Sequence, residues 1–239
     1  MEPTKGKCTM NKKKKPKAFE GKARIVEAKV FTLRGIGLAG AGFRGLDLSK
    51  AEMIDCNLEG ADFSGANLDK AKLNYTVFSQ ACMVGCSFRN AIMQNANMEH
   101  ASLVAVDLRG VDLSWANLRG TIFSGVVLHE ETNKERQTIC KGAIFNYADM
   151  RGAKLAGLNL KGVVFKGADL TGADLSGCDL EGADFTKAIL TGAKLDKANL
   201  TAITLAGAII RNTSFDEAVL EQVDHNDFAE AVNRGKLAA

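Results

Sequence analysis

The sequence predicts an all-β solenoid wound as a square coil, and three observations predict it. A Leu, Phe, Met or Ile recurs at every fifth residue from Leu38 to Leu128 and again from Phe145 to Leu220, 35 repeats without a missed apolar centre. Two positions before each centre the residue is Ala, Cys, Thr or Val in 31 of the 35, the exceptions being Ile36, Leu46, Leu158 and Ile203. Bulky centres also align at intervals of 20: Phe43, Phe63, Met83, Leu103 and Phe123 in one column, Phe145, Phe165, Phe185 and Leu205 in another.

A period of five suits neither an amphipathic helix nor an alternating strand. The chain must therefore turn at every repeat, with the centre and the small residue pointing inward and the other three positions meeting water. Like side chains stack best above one another, so Phe43, Phe63, Phe123, Phe145, Phe165 and Phe185 are the expected structural stack. Sparse aromatics, abundant Gly at turns and the absence of Pro after Pro16 agree with a thin laddered core.

The runs Ala61-Asp62-Phe63-Ser64-Gly65 and Ala168-Asp169-Leu170-Thr171-Gly172-Ala173-Asp174-Leu175 resemble the pentapeptide-repeat family, whose consensus is Ala, then Asp or Asn, then Leu or Phe, then two variable residues. The resemblance covers residues 36 to 222. It implies a right-handed quadrilateral parallel β-helix with four repeats to a coil. Roughly nine coils at the ~4.8 Å strand spacing make a rod on the order of 40 Å long.

Taken in order, residues 1–17 form a basic arm carrying Lys5, Lys7, Lys12, Lys13, Lys14, Lys15 and Lys17, expected to be disordered. Residues 18–35 carry Ile25, Val26, Val30 and Phe31 and are expected to cap the first coil. The helix then runs over 36–128 and 143–222. Between these parts, residues 129–142 break the phase, since Leu128 to Phe145 is 17 residues. Two geometries fit. In the favoured one the segment is an irregular part of one coil and Phe145 stacks on Phe123; in the other about 12 residues are extruded as a loop. Glu131, Lys134 and Arg136 are its candidate contact residues. Residues 223–239 predict a capping helix, with Asp224 or Asn226 as N-cap and Phe228, Val232 and Leu237 as its apolar positions. The resemblance implies a homodimer through this end of the rod.

Charge and motifs narrow the function. The whole chain carries +3, yet residues 31–223 hold 19 Lys and Arg against 22 Asp and Glu, so the rod is mildly acidic. No apolar h-region follows the basic start and no apolar run reaches 18 residues, which predicts a cytoplasmic protein; delivery into a host cell stays open. Cys56, Cys86 and Cys178 hold the small inward position, whereas Cys8, Cys82 and Cys140 lie outside it without ligand spacing. No nucleophile elbow, phosphate loop, dinucleotide fingerprint or paired-His motif is present, so neither an enzyme nor a cofactor nor a metal site is expected. The Asp and Asn residues before the centres follow from the repeat and are expected to cap nearby backbone groups.

Two function classes remain. One is a scaffold that binds a protein partner through its flat faces. The other, implied by the resemblance, is a DNA mimic that engages DNA gyrase or topoisomerase IV, as quinolone-resistance relatives do. Mimicry needs a continuously acidic column, and none exists: Lys154, Asp174, Lys194 and Ser214 alternate, for example. The scaffold reading draws on Ile92, Ile122, Val127, Ile189 and Ile209, which stand where the consensus has Asp or Asn and are the candidate partner-binding residues. Ile144, Val164 and Val219 are further departures of the same kind.

Overall fold

A computed structural model of the chain describes residues 32–123, 127–128, 135–136, 140, 142–224, 226 and 228–229. Its regular part is a right-handed quadrilateral β-helix. Each pentapeptide makes one short face, too brief for more than one bridged residue, and pairs in parallel with the repeat 20 residues away. Among the described residues of the coils a longer parallel ladder occurs in the first, where β1 (Thr32–Arg34) pairs with β2 (Glu52–Ile54).

Four bridged columns give four faces. The first runs Glu52, Lys72, Ile92, Asp112, Ile144, Val164, Asp184 and Thr204. The second contains Asn97, Asn117, Asp149, Asp169, Ile189 and Ile209, and the third contains Asp62, Cys82, Ser102, Ile122 and Lys154. The fourth contains Asp47, Asn67, Ser87 and Asp107, then resumes at Asn159 and Asp179.

The backbone turns between faces by one device. At most centres the N–H three residues on donates to the centre's carbonyl, as Ala61 does to Leu58 at 3.1 Å and Ala168 to Phe165 at 2.9 Å. The residue just before this donor has φ near +60°, as the third residue of a type II turn requires. Gly fills many of these corners. The rest take Lys, Asn, Asp, Ala or larger side chains, with no Val, Ile or Thr among the described residues, because a β-branched side chain fits the left-handed region worst.

Inside, the described centres and small residues from Phe43 to Ile210 are buried, except Leu46, which is exposed. Phe43 stacks on Phe63 at 4.6 Å, and Phe145, Phe165 and Phe185 stack at 5.3 and 5.0 Å. The small position also accepts Cys and Thr because a hydroxyl or thiol there reaches a carbonyl 23 residues back. Cys86 donates to Phe63 at 2.7 Å, Cys178 to Leu155 at 3.1 Å, Thr121 to Met98 at 3.1 Å, and Thr76 to Met53. Each polar atom thus enters the core with its partner.

The interruption takes the second of the two geometries, contrary to the favoured one. Across it the pairing interval widens from 20 residues to 32, with Asp112 bridged to Ile144, Asn117 to Asp149 and Ile122 to Lys154. Phe145 therefore follows Leu113 on the first face, while Phe123 on the third is followed by Leu155. Phe123 and Phe145 meet edge-on across the interior at 6.2 Å, not as neighbours in one stack. The ladder decides this: closing the coil preserves every backbone bond, whereas aligning two rings would break a row of them. Within the extruded segment β3 (Val127–Leu128) pairs antiparallel with β4 (Glu135–Arg136).

The same finding corrects Cys140. It is wholly buried and its carbonyl accepts from the Ala143 N–H at 2.8 Å, as a repeat centre's does, and the 32-residue interval sets it in the fourth column after Leu108. The apolar count misses it because the preceding segment hides its phase. Burial pushes the Cys140 and Cys178 thiols up to about 12, and Cys86 higher still. The folded chain keeps these thiols protonated where the unfolded chain, with ordinary values near 9.0, ionises them. Stability is thus expected to fall as pH climbs from about 9 towards 12, with urea midpoints at pH 8 and pH 10 as the check. A midpoint equal at both values would contradict the burial.

At the C-terminal end, Asp224 acts as the N-cap: its Oδ1 accepts from the Asn226 N–H at 2.8 Å and its carbonyl from Phe228 at 3.0 Å. Asn226, Phe228 and Ala229 are helical, and the Phe228 ring lies edge-on to Phe215 at 5.8 Å, over the last coil. Val232 and Leu237 lie outside the described residues, as do the basic arm and residues 18–31.

Candidate binding surfaces

The outward Asp and Asn residues are turn caps. Asp62 Oδ1 accepts from the Ser64 N–H at 2.9 Å, Asp112 from Ser114 at 3.0 Å, Asp169 from Thr171 at 3.0 Å and Asp184 from Thr186 at 2.8 Å. Side-chain amides extend this along a face, Asn67 donating to Asp47, Asn117 to Asn97 and Asn199 to Asp179, each at 3.1 Å. An Ile or Val at this position forfeits the cap. Such a departure weakens the rod locally unless something else uses the apolar surface.

The departures divide among the faces. Ile92 is exposed on the first face, which it shares with half-buried Ile144 and Val164. Ile189 and Ile209 are bridged to each other on the second face, both half-buried, and Ile122 is exposed on the third. They are therefore not one patch. Val127 and Arg136 lie in the antiparallel pair of the extruded segment, while Glu131, Lys134, Lys12, Lys13, Lys14 and Lys15 are outside the described residues.

Several outward acidic side chains are paired with cations, across coils for Asp69 and Glu181 and within one repeat for Asp107 and Asp149. Arg89 reaches Asp69 at 2.6 Å, Arg109 reaches Asp107 at 2.5 Å, Arg151 reaches Asp149 at 2.6 Å and Lys161 reaches Glu181 at 2.6 Å. Lys72 and Arg34 flank Glu52 at 2.8 and 3.1 Å. Their hydrogen bonds hold the Glu52 carboxyl below its usual range, as the Arg151 guanidinium does for Asp149. Being largely exposed, these pairs contribute little to stability. Their effect on the field is larger, because each cancels an acid that a polyanion mimic would need to display.

One edge escaped the sequence reading. The corner between the first and second faces carries Tyr75, Asn95, Trp115, Tyr147, Gly167 and Lys187 in successive coils. Trp115 and both Tyr of the chain thus share one edge. Tyr75 and Trp115 are 59% exposed and Tyr147 is 43% exposed, and all three have positive φ. Trp115 stacks on Tyr147 at 4.4 Å, and the Tyr147 ring lies over Gly167 so closely that a Cβ there would come within 2.5 Å of it. The signal was present as aromatic residues two places after a centre. The 32-residue interval hid the alignment of Trp115 with Tyr147.

Among the described residues no group of three or more His, Cys, Asp or Glu could hold a metal ion. No helix among them is long and apolar enough to cross a membrane.

Comparison with known proteins matches the pentapeptide-repeats family model in 8 copies, over residues 38–74, 51–90, 71–110, 88–125, 137–172 and 164–201. No curated protein sequence gave a match. Among solved structures the chain is similar to full-length QnrB1, a plasmid-mediated fluoroquinolone resistance protein, at 20% identity over 86% of this chain and 97% of that one, with a TM-score of 0.66. A trypsin-treated QnrB1 variant is similar at 20% identity over 88% and 98%, with a TM-score of 0.51. HetL, a pentapeptide repeat protein involved in heterocyst differentiation regulation in the cyanobacterium Nostoc, aligns at 21% identity over 81% and 84%, with a TM-score of 0.24.

Proposed function

The chain belongs to the pentapeptide-repeat family, and from that premise we propose that it is a non-catalytic scaffold that binds a protein partner through the flat faces of the rod. The observation that carries this is the pairing of outward acids with Arg and Lys, on the neighbouring coil for Asp69 and Glu181 and within the same repeat for Asp107 and Asp149, which leaves a mixed, near-neutral grid. Duplex DNA displays a charge about every 1.7 Å along its axis, and such a grid does not imitate it. The bridged pair Ile189 and Ile209, set where a capping Asp or Asn would stand, is the contact we assign to the partner. Five described cysteines are free, which suits a reducing cytoplasm.

A second reading, gyrase or topoisomerase IV protection by mimicry, is favoured by the likeness to QnrB1 along nearly all of that chain. One pair of experiments separates the two. Affinity capture from the native cell is expected to retain a specific partner with the wild-type chain and lose it with Ile189→Asp/Ile209→Asp. Gyrase supercoiling with and without fluoroquinolone is expected to be unchanged at micromolar protein; relief of the drug block would replace the scaffold reading by mimicry.

A further inference from the structure

Stability of the single rod does not explain the aromatic edge. An L-residue in the left-handed region costs about 1–2 kcal/mol, and other coils place Gly, Asn, Asp or Lys there. Trp115 and Tyr147 recover part of that cost by stacking. Tyr75 has no ring partner among the described residues and is 59% exposed. Beside this edge the first face gives up its caps at Ile92, Ile144 and Val164. Amphipathic rings flanking one exposed and two half-buried aliphatic side chains are the composition of an interface core.

We infer that the first face and its aromatic edge bind a second copy of this chain, side by side and antiparallel, about a two-fold axis lying between the Asp112 and Ile144 rows. The argument is self-complementarity. In a two-fold contact each row meets the row equally far beyond the axis. Ile92 then meets Val164 of the second copy, and Lys72 meets Asp184. At the edge Trp115 meets Tyr147, and Tyr75 meets the Lys187 ammonium, a cation–π pairing. The opposite edge fits sterically: Lys70 meets Gly182, Asn90 meets Gly162, and Gly110 meets Gly142.

Other registers fail. An axis through the Asp112 row sets Asp112 against its own copy and Glu52 against Asp184, two like-charge contacts. An axis through the Ile144 row sets Asp184 on Ile92 and Asp112 on Val164. In the favoured register Asp112 meets Ile144, but it enters already satisfied, accepting from Gln94 Nε2 at 2.7 Å and from Ser114 Oγ at 2.6 Å. From Glu52 to Thr204 the strip spans eight rows, about 34 Å at the ~4.8 Å strand spacing, a length that suits a specific interface.

Sedimentation equilibrium of the full chain tests this. A dimer is expected at about 100 μM protein. Lys72→Glu and Asp184→Lys should each weaken it at least about tenfold, and the double variant should regain wild-type affinity, because the swapped charges meet again across the axis. Both positions lie on an outer face, and circular dichroism verifies that each variant folds. Trp115 supplies a second readout: as the chain's one tryptophan, it should shift to bluer emission on association. A monomer at that concentration, a dimer indifferent to both single substitutions, or a double variant as weak as the singles would each overturn the inference. Dimerisation through the C-terminal end of the rod would give the second of these outcomes.

Discussion

Phe165→Ala is expected to destabilise the rod by about 3–5 kcal/mol, the largest loss of any single truncation in the core. Phe165 is fully buried and stacks on Phe145 at 5.3 Å and Phe185 at 5.0 Å, so its removal opens a cavity and strips one face from each neighbouring ring. The backbone cannot collapse into the space, because the ladder fixes the distance between coils: Phe165 donates to Asp184 at 2.8 Å and Phe145 to Val164 at 2.8 Å. Phe215→Ala is the control. It sits in the last described coil, half-buried, with an edge contact to Phe228, and should lose only about 1–2 kcal/mol. Chemical denaturation of both variants decides the matter; equal losses would mean that the Phe stack adds nothing beyond ordinary burial.

Gly167→Ala is expected to cost about 2–3 kcal/mol, against about 1 kcal/mol for Gly172→Ala. Both residues have φ near +67°, so both variants strain the backbone alike. Around Gly172 the space is open, whereas a Cβ at Gly167 would meet the Tyr147 ring at 2.5 Å. The ring must swing away, and its stacking on Trp115, worth roughly 0.5–1.5 kcal/mol, goes with it. Thermal melts of the pair measure the difference, and Trp115 emission should change in the first variant alone. If Gly172→Ala proved as costly, the Tyr147 contact would have no energetic weight.

The fold was legible because the residues that specify it are the ones that repeat. Any apolar centre paired with a small residue two places earlier describes a face of the same square, and the fivefold count needs no knowledge of partners. The error at Phe145 came from reading spacing along the chain as though it were height along the rod. Phe123 and Phe145 look like neighbours in sequence arithmetic, but hydrogen bonds set Leu113 beneath Phe145. Cys140 was passed over for the same reason, and so was the meeting of Trp115 with Tyr147. The outward Ile and Val residues were visible singly; their division among three faces emerged only once the columns were fixed. Ion pairing was less legible still, since Arg89 and Asp69 are 20 residues apart and only the coil makes them adjacent.

The excursion between Phe123 and Cys140 has a consequence for how such rods change over time. Coil-to-coil bonding resumes past it as though the chain had never left, so the rod is indifferent to the contour length of what it expels. An insertion there need not be a multiple of five, and its composition is freed from the alternation of bulk and smallness that governs every face. A phase slip in a repeat of this kind is thus a landmark for a site where novelty can be added at little thermodynamic penalty, while the register of the surrounding surface stays fixed.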